Sequence, residues 1–144
     1  AVELHGFLSY LVRCQLSGET YSIYGYNGKQ VRDNIHSADV AAIVEALYRK
    51  PPAPGTVYNI GGGRENSCSI IEAAAYIRKA TGIGLSSTYI EKPRIGDHVV
   101  YISDMSKFKR DYPDWKLTKS LPNILDGIIA DWKRRGVTPR AAVR

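Results

Sequence analysis

Two arginines and one aspartate have the side-chain chemistry and sequence setting of a binding site. Arg32 lies in a short apolar-spaced stretch that follows Gly28 and precedes a helix start at Ser37. Farther along the chain, Arg94 is followed by Asp97, with a glycine directly before the aspartate. Guanidinium groups bind phosphate oxygens through paired hydrogen bonds, and a carboxylate accepts hydrogen bonds from ribose hydroxyls. The three residues therefore predict a site for a nucleoside diphosphate.

Each arginine also has a simpler interpretation. Arg32 could form an ion pair with Asp39, whereas adjacent residues of a strand face opposite sides, which disfavours a pair with Asp33. Arg94 could be an ordinary surface residue. Taken singly, each phosphate assignment is about as good as its alternative, but the two arginines together, with Gly96 and Asp97 beside one of them, favour a binding site.

The glycines at positions 61–63 follow an apolar stretch and invite comparison with a dinucleotide-binding loop. That fingerprint needs a third spaced glycine and a helix that starts directly after it. Asn66 stands where the glycine is required, and the next helix start is at Ser69. These glycines therefore predict a backbone turn, not a cofactor cradle.

Other catalytic or metal-binding patterns are weak. The three histidines are scattered, and Cys14 and Cys68 have no metal-type spacing, so the cysteines are interpreted as reduced, partly buried thiols. Reduced thiols fit a cytoplasmic location. The sequence predicts no metal site.

The bulk composition is that of a soluble globular protein with a modest core. The 144 residues are 44% hydrophobic and 24% charged, with a net charge of +6. No apolar run is long enough to span a membrane. Basic residues cluster at the C-terminus, but no aromatic-interleaved basic stripe accompanies them, so nucleic-acid binding is the weaker alternative. We expect neither a membrane nor a nucleic acid as partner.

Turn and cap residues divide the chain into alternating helices and strands. The predicted helices are residues 5–16, 38–49, 70–81, 103–110 and 120–135, and the predicted strands are residues 21–24, 30–35, 57–60 and 85–91. Ser37 is predicted to cap the second helix, and Ser69 with Glu72 forms a capping box for the third. Asn27 and Gly28 are the typical signal of a hairpin turn.

The strands are few and short for the apolar surface that the pattern creates. Residues 57–60 are apolar enough for the inside of a sheet, and residues 38–49 carry an apolar helix face. We expect these surfaces to be left uncovered and to drive self-association into a homo-oligomer.

Six short motifs also occur in a fixed order along the chain. They are Tyr24-Gly25, Gln30-Val31-Arg32-Asp33-x-Ile35-His36, Asp39-Val40, Val57-Tyr58-Asn59-Ile60-Gly61, Pro93-Arg94-x-Gly96-Asp97 and Asp104-x-Ser106-Lys107. This ordered set resembles the C-terminal half of the extended short-chain dehydrogenase/reductases, the nucleotide-sugar epimerases and dehydratases. Within that family, residues 5–11 and 29–37 are most similar to the CDP-paratose 2-epimerase branch.

The resemblance implies a fold and a set of binding residues. Family members have a Rossmann domain that carries NAD, followed by a smaller α/β domain that holds the nucleotide-sugar, so residues 1–144 are expected to be mostly the second part, without the Rossmann domain. By position, Arg32 and Arg94 would hold the diphosphate and Asp97 would meet the ribose. Tyr24 would lie near the base. Leu4 and Phe7 would border the sugar-nucleotide pocket.

The resemblance also implies what this chain lacks. The family's glycine fingerprint, catalytic Ser or Thr and Tyr-x-x-x-Lys belong to the N-terminal half, so no catalytic or NAD-binding residue is assigned here, and the chain alone is expected to be inactive. In the intact enzyme NAD would remove a hydride from a CDP-sugar or another nucleotide-sugar and return it on the other face. For the CDP-paratose branch the product would be CDP-tyvelose. The alternatives are another member of the family, a stand-alone nucleotide-binding module and a basic interaction module.

Overall fold

A computed structural model describes residues 6–138, which fall into two structural units. The first unit comprises residues 6–30, 69–99 and 125–138, and the second comprises residues 31–68 and 100–124. The helices are α1 (Phe7–Ser17), α2 (Ser37–Arg49), α3 (Ile70–Thr81), α4 (Ser106–Asp111) and α5 (Leu121–Arg134). The strands are β1 (Tyr21–Tyr24), β2 (Val31–Asp33), β3 (Ser67–Ser69), β4 (Ser87–Ile90) and β5 (Val100–Tyr101).

The first unit packs helices beside a two-stranded parallel sheet. β1 and β4 pair in register from Tyr21 opposite Ser87 to Tyr24 opposite Ile90. Gln15 on α1 is fully buried, and its side-chain amide donates to the carbonyls of Ala74 and Ile83 at 3.1 and 2.7 Å. These bonds join α1 to α3 and to the residue that follows the C-cap of α3, so the two helices pack together.

The second unit is built around an aromatic cluster. Its three-stranded sheet has the order β3-β2-β5, and β2 runs parallel to β5. Phe108 on α4 is 1% exposed, stacks on Tyr112 at 4.9 Å between ring centroids, and meets Trp115 edge-on at 5.5 Å. Ile43 of α2 packs into the same cluster. Burial of these large rings holds α2 and α4 together.

Most helix boundaries follow from the capping residues. Ser69 and Glu72 form the predicted capping box at the start of α3, and Gly82 ends α3 in the left-handed conformation. Gly18 ends α1 in the same way. The cap of α2 was predicted wrongly, because the side chain of His36, not Ser37, accepts the backbone N–H of Ala38 at 3.0 Å.

Two strand predictions were also wrong. β1 and β2 do not form a hairpin, because β1 pairs with β4 and β2 pairs with β3 and β5. Residues 57–60 form no strand, and Val57 is 74% exposed. A strand needs a neighbour for its backbone hydrogen bonds, and the described residues pair none with this segment.

Both cysteines are buried thiols that form no disulfide bond with each other, as the sequence predicted. Between residues 6 and 138, no helix combines the length and the apolar character needed to cross a bilayer.

Candidate functional site

Arg94 and Tyr24, both predicted to be substrate-binding residues, are in direct contact. The guanidinium carbon of Arg94 lies 4.2 Å from the centroid of the Tyr24 ring. Tyr24 is the last residue of β1, and Arg94 lies in the loop that follows β4. Because β1 and β4 are parallel neighbours, their carboxyl ends meet at the same edge of the sheet. This pairing places a cation on an aromatic face at a position where small-molecule sites are common in α/β folds.

A glycine lets the loop that carries Arg94 approach β1. A Cβ atom on Gly25 would lie only 2.8 Å from the Cβ of Pro93, and Gly25 adopts a φ of +63°. The N–H of Gly25 donates to the carbonyl of Ile90 at 2.8 Å, which extends the pairing of β1 and β4 by one residue. A larger residue at position 25 would therefore push Pro93 away and move the Arg94 loop.

Arg94 and Asp97 share one tight turn. The N–H of Asp97 donates to the carbonyl of Arg94 at 3.1 Å, and Gly96 supplies a φ of +79°. Ile95 at the tip is fully exposed, whereas Asp97 is half-buried. The turn therefore carries a guanidinium group and a carboxylate three positions apart.

The turn after Tyr24 is unusual because Tyr26 and Asn27 both have positive φ, at +50° and +52°. Left-handed backbone is uncommon for non-glycine residues and unfavourable for a bulky one. On the far side of this turn the buried Gln30 donates its side-chain amide to the carbonyl of Tyr24 at 3.0 Å. The turn is thus tied back to the strand that it leaves.

Arg32 lies on β2, in the second unit. It is half-buried, and its guanidinium donates to the carbonyl of Val31 at 2.7 Å. Since Arg32 and Arg94 belong to different units, their convergence on one diphosphate stays a prediction. Phe7 is the first residue of α1 and is half-buried. Leu4 lies outside the described residues.

The two aspartates near Arg32 hold loops of the second unit in place. Asp39 is 1% exposed and accepts from the backbone and hydroxyl of Thr118 and the backbone of Lys119. Burial raises the pKa of Asp39, but these hydrogen bonds outweigh it, so the pKa lies below its ordinary value. The carboxylate of Asp33 accepts the N–H groups of Gly63 and Ser103 at 3.0 and 3.2 Å.

The glycine turn at positions 61–63 does not fit NAD. A Cβ on Gly61 would lie 2.2 Å from the carboxylate of Asp33, and one on Gly62 would lie 1.9 Å from the carbonyl of Asn34. Gly61 and Gly62 are thus required by packing against the chain's own backbone and side chains, as expected for a backbone turn. A dinucleotide cradle would instead leave that space for the pyrophosphate.

Sequence reasoning missed the contact between Tyr24 and Arg94 and the structural role of Asn66. The side chain of Asn66 donates to the carbonyl of Lys119 at 2.7 Å and accepts the N–H of Leu121 at 2.9 Å. No spacing rule joins such distant positions. No group of three His, Cys, Asp or Glu side chains within residues 6–138 could hold a metal ion.

Comparison with known proteins gives one family. The model of the NAD dependent epimerase/dehydratase family matches residues 2–61. UDP-arabinose 4-epimerase 1 of Arabidopsis thaliana is 31% identical over 120 residues, which cover 83% of this chain and 27% of that protein. CDP-paratose 2-epimerase of Salmonella typhi is 32% identical over 109 residues, 74% of this chain and 31% of that protein.

The fold gives the same relationship. MoeE5 in complex with UDP-glucose and NAD matches with a TM-score of 0.78 and 28% identity, over 92% of this chain and 42% of that one. The chain thus has the mixed α/β fold of part of an extended short-chain dehydrogenase/reductase. It spans less than a third of the length of the curated relatives named above, and less than half of the MoeE5 chain.

Proposed function

Because this chain belongs to the NAD-dependent epimerase/dehydratase family, whose cofactor is NAD, we propose that it forms the nucleotide-sugar-binding part of a sugar-nucleotide epimerase. The observation that carries the proposal is the stack of Arg94 on Tyr24 at the carboxyl edge of β1 and β4. We assign residues 1–144 to the substrate-binding portion and NAD mainly to a Rossmann domain outside them.

The proposed binding residues have separate tasks. Arg94 contacts a phosphate, and Asp97 on the same turn accepts from the ribose. Arg32 supplies a second phosphate contact, and Phe7 and Leu4 border the pocket. These assignments for Arg32, Phe7 and Leu4 come from their positions in the family's motifs. No catalytic residue is assigned, so we expect no turnover by this polypeptide alone.

The sugar-nucleotide is the finer part of the proposal. The motifs of residues 5–11 and 29–37 favour a CDP-sugar, with CDP-paratose and CDP-tyvelose as the interconverted pair. The relatives include UDP-arabinose 4-epimerases as well as CDP-paratose 2-epimerase, so a UDP-sugar is the alternative. We also propose a cytoplasmic location and a homo-oligomer.

Calorimetry with CDP, UDP and a short DNA duplex tests this function. Arg94→Ala should weaken binding of the preferred diphosphate by roughly 1.5–3 kcal/mol, as expected for a charge-assisted hydrogen bond. Arg32→Ala should do the same. The control is Lys92→Ala, which removes the same charge from an exposed position near Arg94 and should change little.

Three outcomes would contradict the proposal. Failure of both CDP and UDP to bind at millimolar concentration would rule out a nucleoside diphosphate as the ligand. Equal losses of diphosphate binding in Arg94→Ala and Lys92→Ala would show that Arg94 acts only through its charge and makes no specific contact. Salt-sensitive binding to DNA without nucleotide binding would instead indicate a basic interaction module.

A further inference from the structure

We infer that Tyr24 is a positioning residue, which holds the guanidinium of Arg94 ready for a phosphate and acts on the nucleotide through Arg94. The inference rests on the proposed function for its ligand and on the geometry of the first unit for its mechanism. It differs from the role that family position implies for Tyr24, which is proximity to the base.

The first step is the cost of ordering Arg94. Its side chain lies in an exposed loop beside the fully exposed Ile95. An arginine in such a loop has many rotamers, and fixing them when a ligand binds costs free energy. A guanidinium group held 4.2 Å from an aromatic centroid has already lost much of this freedom. The stack therefore lowers the cost of forming a phosphate contact.

The second step is the rigidity of the platform under Arg94. The carbonyl of Tyr24 accepts from the buried Gln30 at 3.0 Å. Tyr24 also stands opposite Ile90 in the paired strands β1 and β4. A ring on a strand end that is fixed from both sides is a defined surface for a neighbouring side chain.

The third step is the spacing between ring and loop. Pro93 packs so closely on Gly25 that a Cβ there would approach it to 2.8 Å. The backbone of the Arg94 loop is thus set at a fixed distance from the residue that follows Tyr24. Strand pairing, the missing Cβ and the aromatic ring act together to place one guanidinium group.

A double-mutant cycle in the 144-residue chain tests the inference, with CDP, UDP, cytidine and inorganic pyrophosphate as probes. Tyr24→Leu should weaken diphosphate and pyrophosphate binding about 2- to 12-fold, the cost of ordering one long side chain. It should leave cytidine binding unchanged. It should have no further effect in an Arg94→Ala background, because the group that it positions is gone.

Three further variants separate the effect of the Tyr24 ring from other effects of substitution. Tyr24→Phe keeps the ring and should bind like the parent chain. Gly25→Ala keeps both side chains but moves the loop, and should weaken diphosphate binding in the same way as Tyr24→Leu. Tyr89→Leu removes a partly exposed tyrosine of β4 that has no part in the stack and should change nothing. Circular dichroism is used to check that each variant folds.

Independent losses from Tyr24→Leu and Arg94→Ala, or a loss of cytidine binding in Tyr24→Leu, would overturn the inference and assign Tyr24 to the base. A ligand-free measurement separates this failure from a failure of the proposed function. Nitrogen-15 relaxation of the Arg94 side chain should report increased mobility in Tyr24→Leu, whether or not CDP or UDP binds. Unchanged mobility in that variant would also overturn the inference.

Discussion

The first helices of the two units differ in how much of their apolar surface is buried. In the first unit, α1 buries Leu11, Val12 and Leu16 completely. In the second unit, Ile43 is the one apolar residue of α2 that is fully buried, while Val44 and Tyr48 are 60% and 86% exposed. An apolar face that its own unit leaves uncovered is a surface available for contact with other chains or segments. The apolar face of α1 is therefore covered, whereas α2 keeps apolar side chains exposed.

The units also differ in their polar interior. Gln15, a neutral side chain, joins the two main helices of the first unit. The second unit uses the buried carboxylate of Asp39 to hold the segment before α5. A carboxylate whose pKa is lowered in the folded chain stabilises the fold more when it is ionised than when it is protonated. We therefore expect acid to destabilise the second unit through Asp39, whereas Gln15 of the first unit has no charge to lose.

The largest expected effect is on the aromatic cluster of the second unit. Phe108→Ala removes a ring that is 1% exposed and contacts Tyr58, Tyr112 and Trp115. The cavity should lower the free energy of unfolding by about 3–5 kcal/mol. Urea denaturation followed by circular dichroism measures this loss.

The matched change on the uncovered face is Tyr48→Ala. Tyr48 is also aromatic and also lies in the second unit, but it is 86% exposed, so its loss should stay within about 0.5 kcal/mol. Similar losses in the two variants would contradict the difference between the buried and exposed sides of the second unit.

The next effect concerns acid. The pKa of Asp39 is below its ordinary value of 3.8 in the folded chain, so its contribution is present above that value and is lost as the pH falls through the folded pKa. Asp39→Asn removes the ionised acceptor of three hydrogen bonds. It should cost about 1.5–3 kcal/mol near neutral pH and flatten the decline of stability toward about pH 3.

Urea midpoints measured across that pH range check the prediction. Glu72→Gln is the control, because hydrogen bonds from Ser69 also lower the pKa of Glu72 but this carboxylate lies on an exposed helix start. It should give a smaller loss with the same sign. If stability falls with pH as steeply in Asp39→Asn as in the parent chain, the acid sensitivity does not come from Asp39.

Local signals predicted most of the elements. The capping box at Ser69 and the stop at Gly82 act within one helix turn, so the bounds of α3 could be read from the sequence. The hairpin at Asn27 and the strand at residues 57–60 failed because strand pairing depends on distant segments. A turn signal states that the chain reverses, but not which strand each arm will meet.

The candidate site has the same limit. Residue type and family position predicted Tyr24, Arg94 and Asp97. The contact of Arg94 with the Tyr24 ring depends on the parallel pairing of β1 with β4, more than sixty residues apart in their register. The requirement for glycine at position 25 comes from Pro93, which the spacing of residues could not show. The identity of the candidate residues thus came from the sequence, whereas their spatial arrangement could not be predicted from it.

The smallest expected effect on stability is at Val44, which is 60% exposed on α2. If the uncovered apolar face drives self-association, Val44→Glu should raise the concentration at which the chain associates, because a charge in an apolar contact must be desolvated. Its free energy of unfolding should change by no more than about 0.5 kcal/mol.

Ala75→Glu adds the same charge to the exposed side of α3 and should leave association unchanged. Sedimentation over a range of concentrations measures both variants. A parent chain that stays monomeric throughout would contradict self-association through this face. Association that both variants weaken equally would reflect net charge alone.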